Sequence, residues 1–298
     1  MSITVGVVGL GIMGAAMSTN LLKAGCRVVG RDVDAGRLEA FAAAGGLAAG
    51  SPREIAEQTD VIVTVLPGAD VLHEVVTGRD GLIAARNEQL IVADCGTFDI
   101  SDKERTRDAL TAAGMSMLDC TISGTGVQAR TGDLVVYASG DERHFHECAP
   151  VFSRFARASH YVGAFGNASK MKFVANLLVA VHTAAAAEAM VLAQRAGLDP
   201  QTVYDLVKSG AGTSRMFELR GPLMAAGEYD KDVASRLELW QKDMQVIGRY
   251  AQSVACPVPL FAASAQIYNA AIGHGYGKLD MAAVCAVLED LAGISRRS

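Results

Sequence analysis

The stretch ITVGVVGLGIMGAAMSTNLLK, residues 3–23, decides the fold of this chain. A mostly β-branched run, Ile3–Val8, leads into a G-x-G-x-x-G motif, and a helical pattern follows to Lys23. In this order the glycines allow a tight turn, the close approach of a pyrophosphate, and packing of helix on strand. The helix N-terminus also offers N–H groups to phosphates. A glycine turn without a cofactor is the alternative. The predicted cofactor-binding residues of this loop are Gly9, Gly11, Ile12, Met13 and Gly14.

Asp32 indicates which dinucleotide the loop takes. It follows a second strand pattern, Arg27–Arg31, about twenty positions after the glycines. A carboxylate there accepts hydrogen bonds from the ribose hydroxyls and repels a 2′-phosphate, which favours NAD over NADP. Arg31 and Arg37 are close enough in sequence to hold that phosphate, so NADP stays an alternative. An ordinary turn residue is the other interpretation of Asp32.

Two further apolar runs predict buried parallel strands of a doubly wound sheet. The first begins after Asp60 and ends at Leu66 and Pro67, and the second runs from Leu90 to Thr97. In open α/β sheets, ligands bind beyond the carboxyl ends of the strands. Leu66, Pro67 and Thr97 are therefore predicted to lie at the cofactor, with ordinary strand-end turns as the alternative.

A polar, glycine-rich loop follows Asp119, with the sequence DCTISGTGVQARTGDLVVYASG over residues 119–140. Ser123 and the adjacent N–H groups are suited to binding a carboxylate. A plain connection between two strands is the alternative interpretation.

A long helix is predicted within residues 163–197, because the stretch has no proline and residues 167–196 have no glycine. At 1.5 Å per residue it spans about 45 Å, enough to join two domains. Lys172 and Asn176 lie four positions apart near its start and share one face. A lysine in so apolar a segment is hydrated in a cleft, paired, or shifted toward neutrality. A solvated helix end is the plain alternative.

The same helix is long enough to raise a membrane-spanning interpretation. Asn176, His182 and Glu188 interrupt its apolar run and no aromatic belt flanks it, so we predict a buried helix of a soluble protein.

The chain opens in a strand pattern without a basic leader, and its six cysteines are scattered with no C-x-x-C motif. These features predict a cytoplasmic protein with reduced thiols.

Charge and composition exclude some partners. The net charge of −5 argues against nucleic acid or an acidic membrane as a partner. His144, His146 and Cys148 lie in an amphipathic helical stretch without a fourth ligand, so no metal site is predicted.

Beyond Gly197 the strand patterns vanish and helical patterns dominate. Asp199-Pro200 opens one helix, and others are predicted at residues 234–254, 257–271 and 281–291. The chain is therefore predicted to be α/β, with a Rossmann-type domain over residues 1–163. An all-helical domain over residues 164–298 would begin with the long interdomain helix.

Together these motifs resemble the β-hydroxyacid dehydrogenase family, which includes 3-hydroxyisobutyrate dehydrogenase, tartronate semialdehyde reductase and L-threonate dehydrogenase. Residues 9–25 are very close to the family's cofactor signature, and Val65–Pro67 matches its second cofactor loop. Residues 119–125 are similar to its substrate loop, in which Ser123 and Gly124 match.

The resemblance also assigns the lysines. The family's catalytic lysine follows a G-x-x-G and precedes an asparagine four positions on, which fits Lys172 and Asn176, whereas Lys170 has Val174 at that distance. The segment around Lys242 resembles the family's Lys-Asp-Leu, whose lysine lies by the cofactor. The chain departs from the family pattern at Gly96, Thr121, Thr125, Val127, Gln128 and Ala175. These departures imply an altered substrate pocket.

The resemblance implies an NAD-dependent oxidoreductase acting on the CH–OH group of a small 3-hydroxy acid, or reducing the matching semialdehyde. Lys172 would be the general acid and base, Asn176 would orient it or the substrate, and Ser123 and Gly124 would hold the substrate carboxylate. One alternative is an NADP-dependent aldehyde or semialdehyde reductase, and another is a dinucleotide-binding protein without turnover.

The family forms dimers and tetramers, so a homo-oligomer is expected. The residues of the helical half expected to bury surface against another subunit are Met216, Phe217, Leu219 and Trp240.

Overall fold

Six parallel strands form the central sheet in the computed structural model, which describes residues 3–231 and 233–295. In chain order they are β1 (Thr4–Val8), β2 (Arg27–Arg31), β3 (Leu47–Ala48), β4 (Val61–Thr64), β5 (Ile91–Asp94) and β6 (Ser116–Asp119). Their order across the sheet is β3-β2-β1-β4-β5-β6, and every pairing is parallel. The predicted Rossmann-type arrangement is confirmed, and its strand order reverses between β1 and β4.

Both faces of this sheet carry buried side chains, which explains why its central strands read as unbroken apolar runs. Along β1, Val5 and Val7 belong to one apolar core together with Leu21. Val8 belongs to a second core, together with Ile62 of β4. Successive side chains of a strand point to opposite faces, so the two cores lie on opposite sides of the sheet.

Helices connect the strands of this half. They are α1 (Ile12–Lys23), α2 (Ala35–Ala43), α3 (Pro52–Ala56), α4 (Ala69–Thr77), α5 (Ile100–Ala112), α6 (Gly126–Arg130) and α7 (Glu142–Phe152), with a 3₁₀ turn at Leu82–Ala85. The start of α3 follows from its sequence, because the Ser51 hydroxyl accepts a hydrogen bond from the N–H of Glu54 and Pro52 fits the first turn.

A second, smaller sheet gives regular structure to the polar loop that follows Asp119. It contains β7 (Ile122–Ser123), β8 (Val135–Ala138) and β9 (Ala158–Tyr161). Strand β7 is antiparallel to β8, and β8 is parallel to β9. The apolar Ile122 side chain is buried in the core, which holds this part of the loop against β8.

A 29-residue helix, α8 (Asn167–Arg195), confirms the single long helix predicted from the sequence. The chain divides into two compact units, Met1–Lys172 and Phe173–Ser298, so their boundary falls inside α8 directly after Lys172. The boundary after residue 163 stays a prediction. Among the helices of the described chain, α8 alone is long and apolar enough to cross a membrane, by length and composition only. Core helices of soluble proteins pass the same test.

The regular elements in the described residues of the second unit are helices, apart from one isolated β-bridge between Arg236 and Asp280. After α8 come α9 (Pro200–Val207), α10 (Arg215–Ala226), α11 (Leu237–Ser253), α12 (Pro259–Gly273) and α13 (Val284–Leu291), with 3₁₀ turns at Tyr276–Lys278 and Met281–Ala283. Helix α11 begins three residues later than predicted, because the N–H groups of Ala234 and Ser235 both donate to Asp280 Oδ2, at 3.1 Å.

The expectation that Phe217 and Trp240 bury surface against another subunit is wrong. They are only 3% and 7% exposed, and they pack inside the second unit. Phe217 stacks on the Tyr204 ring, and Trp240 lies beside Tyr268. Leu219 is 38% exposed, so it remains available to a partner.

Candidate active site

The glycine loop is shaped by close backbone contacts. Gly9 has a φ of +95°, and a Cβ atom there would overlap the carbonyl oxygen of Val65. A Cβ on Gly14 would overlap the carbonyl oxygen of Gly9. A Cβ on Gly11, by contrast, would meet only Arg37 Nη1, at 3.8 Å. The loop is therefore tightly packed on the protein side and open at Gly11, which fits a cradle for a pyrophosphate.

The first turn of α1 can complete that cradle. Its N-cap is Gly11, which has no side chain to cap the helix. The N–H groups of a first helical turn have no acceptor within the helix. Those of Ile12 and Met13 are therefore suited to a phosphate, and the positive end of the helix dipole favours the negative charge. Ile12 is 58% exposed, so the turn is accessible.

Asp32 also supports the loop itself. Its carboxylate is buried, and Oδ2 accepts the N–H of Leu10 at 2.7 Å while Oδ1 accepts the N–H of Asp34 at 2.9 Å. Arg37 Nη1 lies 3.7 Å from Oδ2, and the Arg37 side chain is 55% exposed. The Arg31 guanidinium donates to the main-chain oxygen of Asp32. A carboxylate and an exposed guanidinium thus lie side by side at the end of β2.

Residues predicted to line the cofactor follow the carboxyl ends of β4 and β5. Leu66 lies beside Gly9, and Pro67 is exposed next to it. Thr97 is 8% exposed and follows Gly96, where a Cβ would overlap the Phe98 ring. The buried Phe98 ring therefore accounts for Gly96, which stands where the family pattern has serine.

The loop with Ser123 and Gly124 is held by its own side chains. Gly124 has a φ of +141°, which strongly favours glycine. Gln128 Oε1 accepts the N–H of Thr125 at 3.0 Å, and its Nε2 donates to Asp133 at 3.2 Å. The Gln128 side chain thus stabilises the loop, which accounts for one of the departures from the family pattern.

The loop also contacts two helices that carry predicted site residues. A Cβ on Gly126 would lie 2.7 Å from Ile12 Cγ2, so α6 packs closely on the start of α1. Thr121 is fully buried, and its hydroxyl donates to the carbonyl oxygen of Ala168 at 2.8 Å. In an α-helix that carbonyl also accepts the N–H four residues on, that of Lys172. Thr121 therefore joins the loop to the turn that ends at the half-buried Lys172.

A buried ionic cluster next to this contact was not predicted. Lys103 of α5 is fully buried, with Nζ 2.8 Å from Asp94 Oδ2 and 2.7 Å from Asp119 Oδ1. One signal in the sequence points to it, because helical spacing places Lys103 on the same face as the buried Leu110. Asp94 and Asp119 each end an apolar strand, which is the other signal.

In the second unit, Asn176 and Lys242 share a partner that was not predicted. Asn176 is 4% exposed, and its Nδ2 donates to Asp243 Oδ2 at 2.8 Å. Lys242 Nζ lies 3.1 Å from Asp243 Oδ1. The other predicted site residues belong to the first unit.

Within the described chain, no group of three or more histidine, cysteine, aspartate or glutamate side chains is arranged to hold a metal ion.

Comparison with known proteins agrees with this geometry. Residues 4–163 match the family model for the NAD binding domain of 6-phosphogluconate dehydrogenase. Residues 166–288 match the model for NAD-binding of NADP-dependent 3-hydroxyisobutyrate dehydrogenase.

Individual relatives cover almost the full length. The chain is 34% identical over 288 residues to L-threonate dehydrogenase of Cupriavidus necator, an alignment that covers 96% of each protein. It is 29% identical over 288 residues to glyoxylate/succinic semialdehyde reductase 2, chloroplastic, of Arabidopsis thaliana, covering 97% of this chain and 80% of that protein. The crystal structure of 3-hydroxyisobutyrate dehydrogenase from Salmonella typhimurium gives a TM-score of 0.85 at 33% identity, covering 96% of this chain and 100% of the other. The chain therefore belongs to the β-hydroxyacid dehydrogenase family, and it is an oxidoreductase that uses a nicotinamide dinucleotide.

Proposed function

We propose that this protein oxidises the CH–OH group of a small 3-hydroxy acid with NAD, or reduces the matching semialdehyde, with Lys172 as general acid and base. The observation that carries the proposal is the hydrogen bond from the Thr121 hydroxyl to the carbonyl oxygen of Ala168. It ties the loop that presents Ser123 and Gly124 to the helical turn that ends at Lys172. This supports one small-molecule site that includes both segments.

Each residue has a distinct role in the proposed reaction. The Ser123 hydroxyl and the Gly124 N–H hold the substrate carboxylate. Neutral Lys172 takes the proton of the substrate hydroxyl in oxidation and returns a proton to the carbonyl oxygen in reduction. An amine is neutral at pH 7 where desolvation or a nearby positive charge disfavours its ammonium form, and the proposed reaction requires such a condition at Lys172. Asn176 orients the substrate or Lys172.

The glycine loop and the first turn of α1 hold the pyrophosphate in this proposal, and Leu66, Pro67, Thr97 and Lys242 also contact the cofactor. When bound, the nicotinamide supplies the hydride acceptor for oxidation, or the donor for reduction. Asp32 favours NAD, because its carboxylate repels a 2′-phosphate. NADP is the second candidate, because the exposed Arg37 guanidinium lies beside Asp32, where it can contact a 2′-phosphate.

The relatives suggest the substrate class. Their names include L-threonate dehydrogenase, 3-hydroxyisobutyrate dehydrogenase and glyoxylate/succinic semialdehyde reductase. All of these substrates are small and carry a carboxylate, which suits the Ser123 loop. We therefore propose a C4 sugar acid or a branched hydroxy acid as the substrate.

The test is the absorbance of reduced nicotinamide, recorded with NAD and NADP in parallel. The panel contains L-threonate, 3-hydroxyisobutyrate and other 3-hydroxy acids for oxidation, and succinic semialdehyde and glyoxylate for reduction. We expect turnover with NAD on one acid class. Binding of NADH without turnover on any member would contradict the proposal and favour a dinucleotide-binding protein without catalysis.

We further propose that the protein is cytoplasmic and forms a homodimer or homotetramer. The second unit exposes large apolar side chains that support an oligomer, namely Leu219, Leu239, Leu260 and Leu291. Light scattering coupled to size-exclusion chromatography would measure the assembly mass, and a monomer at micromolar concentration would contradict the proposal.

A further inference from the structure

Lys103 joins the carboxyl ends of three neighbouring strands. Asp94 ends β5 and Asp119 ends β6, and the two residues are directly paired in the sheet. The Thr64 hydroxyl, at the end of β4, donates to Asp94 Oδ1 at 2.7 Å. The Lys103 ammonium contacts both carboxylates and so links the ends of β5 and β6 directly, and Asp94 links them to the end of β4.

The cluster continues to the first turn of α8. Asp119 accepts the Ser169 N–H at 2.8 Å and the Ser169 hydroxyl at 3.0 Å. The Ser139 hydroxyl donates to Asp119 Oδ2 at 3.3 Å and accepts the Ala168 N–H at 3.0 Å. Two N–H groups at the start of α8 are thus capped by Asp119 and its neighbour, directly before the turn that contains Lys172.

The charges explain why the arrangement is stable. Two carboxylates and one ammonium leave a single net negative charge, which lies at the positive end of the α8 dipole. Burial alone lowers the pKa of Lys103, but the carboxylates of Asp119 and Asp94 outweigh it and raise the pKa above its ordinary value. The ammonium therefore stays charged at neutral pH.

The segments leaving this cluster carry predicted site residues. The chain after Asp94 leads to Thr97, and the chain after Asp119 leads through Thr121 to Ser123. Helix α8 leads to Lys172. We propose that Lys103 is a positioning residue, which fixes the start of α8 and thereby holds Lys172 in place relative to the Ser123 loop. This inference rests on the proposed function for its effect on turnover, and on geometry alone for its effect on α8.

Replacing the ammonium leaves two neighbouring buried carboxylates that repel each other, so Asp119 can no longer hold the helix start. The variant Lys103→Met removes the charge with little change in length. The matched control is Lys170→Met, because Lys170 is two residues from Lys172, exposed, and bonded locally to Asn167 Oδ1. A second variant, Ser139→Ala, removes one hydroxyl between Asp119 and α8 and leaves the ion pairs intact.

The first measurement is hydrogen–deuterium exchange in peptides that cover residues 166–173. We expect Lys103→Met to speed exchange at 168–172, and Ser139→Ala to do so more weakly, whereas Lys170→Met matches the parent protein. The second measurement is turnover with NAD and the acid that the parent oxidises in the panel. A displaced lysine should lower kcat about 10- to 100-fold, with KM and the Kd of NADH within about threefold of the parent.

A folded Lys103→Met protein with parental exchange and parental kcat would overturn the proposal. If Lys103→Met does not fold, Ser139→Ala decides: parental exchange and kcat in that variant would leave Lys103 a purely stabilising role. The two proposals fail separately. Full activity in Lys172→Ala would contradict the proposed function, whereas the exchange measurement tests the role of Lys103 without any turnover.

Discussion

The Thr121 hydroxyl donates a 2.8 Å hydrogen bond to the carbonyl oxygen of Ala168, across 47 positions of sequence. Thr121 stands where the family pattern has proline, a residue that has no hydroxyl or N–H to donate. The chain therefore makes a specific contact between the Ser123 loop and the helix that carries Lys172.

Thr121→Val removes this hydrogen bond and keeps the side-chain shape. We expect a loss of about 0.5–1.5 kcal/mol in the free energy of unfolding, the usual net value of one hydrogen bond, and a severalfold fall in kcat. Urea unfolding and steady-state kinetics measure the two effects. The control is Thr111→Val, because Thr111 occupies an exposed position of α5 and its hydroxyl donates locally to the carbonyl oxygen of Arg107. Equal kcat in both variants would contradict the prediction.

Lys172→Ala removes the proposed general acid and base. We expect kcat to fall by about 10²–10⁴, the usual contribution of such a group, with NADH binding retained. Lys170→Ala is the control, because it removes a lysine from the same turn region without the predicted role. Stopped-flow absorbance and NADH fluorescence titration make the measurement, and an unchanged kcat would exclude Lys172 from acid–base catalysis.

Arg37→Gln tests the choice of cofactor. The guanidinium lies 3.7 Å from Asp32 and is more than half exposed, so it is the side chain able to meet a 2′-phosphate. We expect kcat/KM for NADP to fall about tenfold, equivalent to 1.4 kcal/mol, while the value for NAD changes little. Arg53→Gln, an exposed arginine paired with Glu57 on α3, is the control. A parent enzyme that prefers NADP would contradict the assignment to NAD.

Gly96→Ser introduces the residue of the family pattern where the Phe98 ring leaves no room for a Cβ. We expect a loss of about 1–3 kcal/mol in the free energy of unfolding, as for other overpacked cores. The double variant Gly96→Ser/Phe98→Leu relieves the overlap and should recover part of that loss. Denaturant unfolding of both variants measures it, and parental stability of the single variant would show that Phe98 moves aside freely.

Alkaline pH should destabilise the folded protein through its buried thiols. Burial, with a smaller effect of the Glu147 carboxylate, raises the pKa of Cys148 from 9.0 to about 12, and burial raises those of Cys95 and Cys120 as well. Between pH 9 and 12 the unfolded thiol has lost a proton that folded Cys148 retains. The folded state then binds more protons, so the free energy of unfolding falls as pH rises.

Each such thiol contributes a slope of up to about 1.4 kcal/mol per pH unit. Urea unfolding between pH 8.5 and 11 measures the slope. Cys148→Ala should reduce it by up to that amount, whereas replacement of the exposed Cys256 should leave it unchanged. An identical slope in the parent and Cys148→Ala would contradict the prediction.

The glycine loop and the parallel strands could be predicted because their signals are local. Gly9, Gly11 and Gly14 lie within six residues, and each strand is a short unbroken apolar run. The supporting role of Asp32 could not be predicted in the same way, because its partner, the Leu10 N–H, lies 22 positions away.

Long-range and context-dependent contacts account for the remaining differences. Asp119 meets Ser169 across 50 positions, and no local pattern indicates that contact. Helix α10 was missed because Gly221 and Pro222 lie inside it, and both residues disfavour helix interiors. The glycine is needed there, because a Cβ would lie 2.6 Å from the Tyr204 ring of α9.

The buried cluster of Lys103, Asp94 and Asp119 also restricts how this part of the protein can be redesigned. A lysine buried without both acids would be costly, and so would two facing acids buried without the lysine. Replacing Lys103 first leaves two facing buried carboxylates, and replacing both acids leaves a buried ammonium without a carboxylate, so the order of the substitutions matters. Grafting the Ser123 loop into another scaffold, or importing a foreign loop here, requires that the three residues be transferred as one unit.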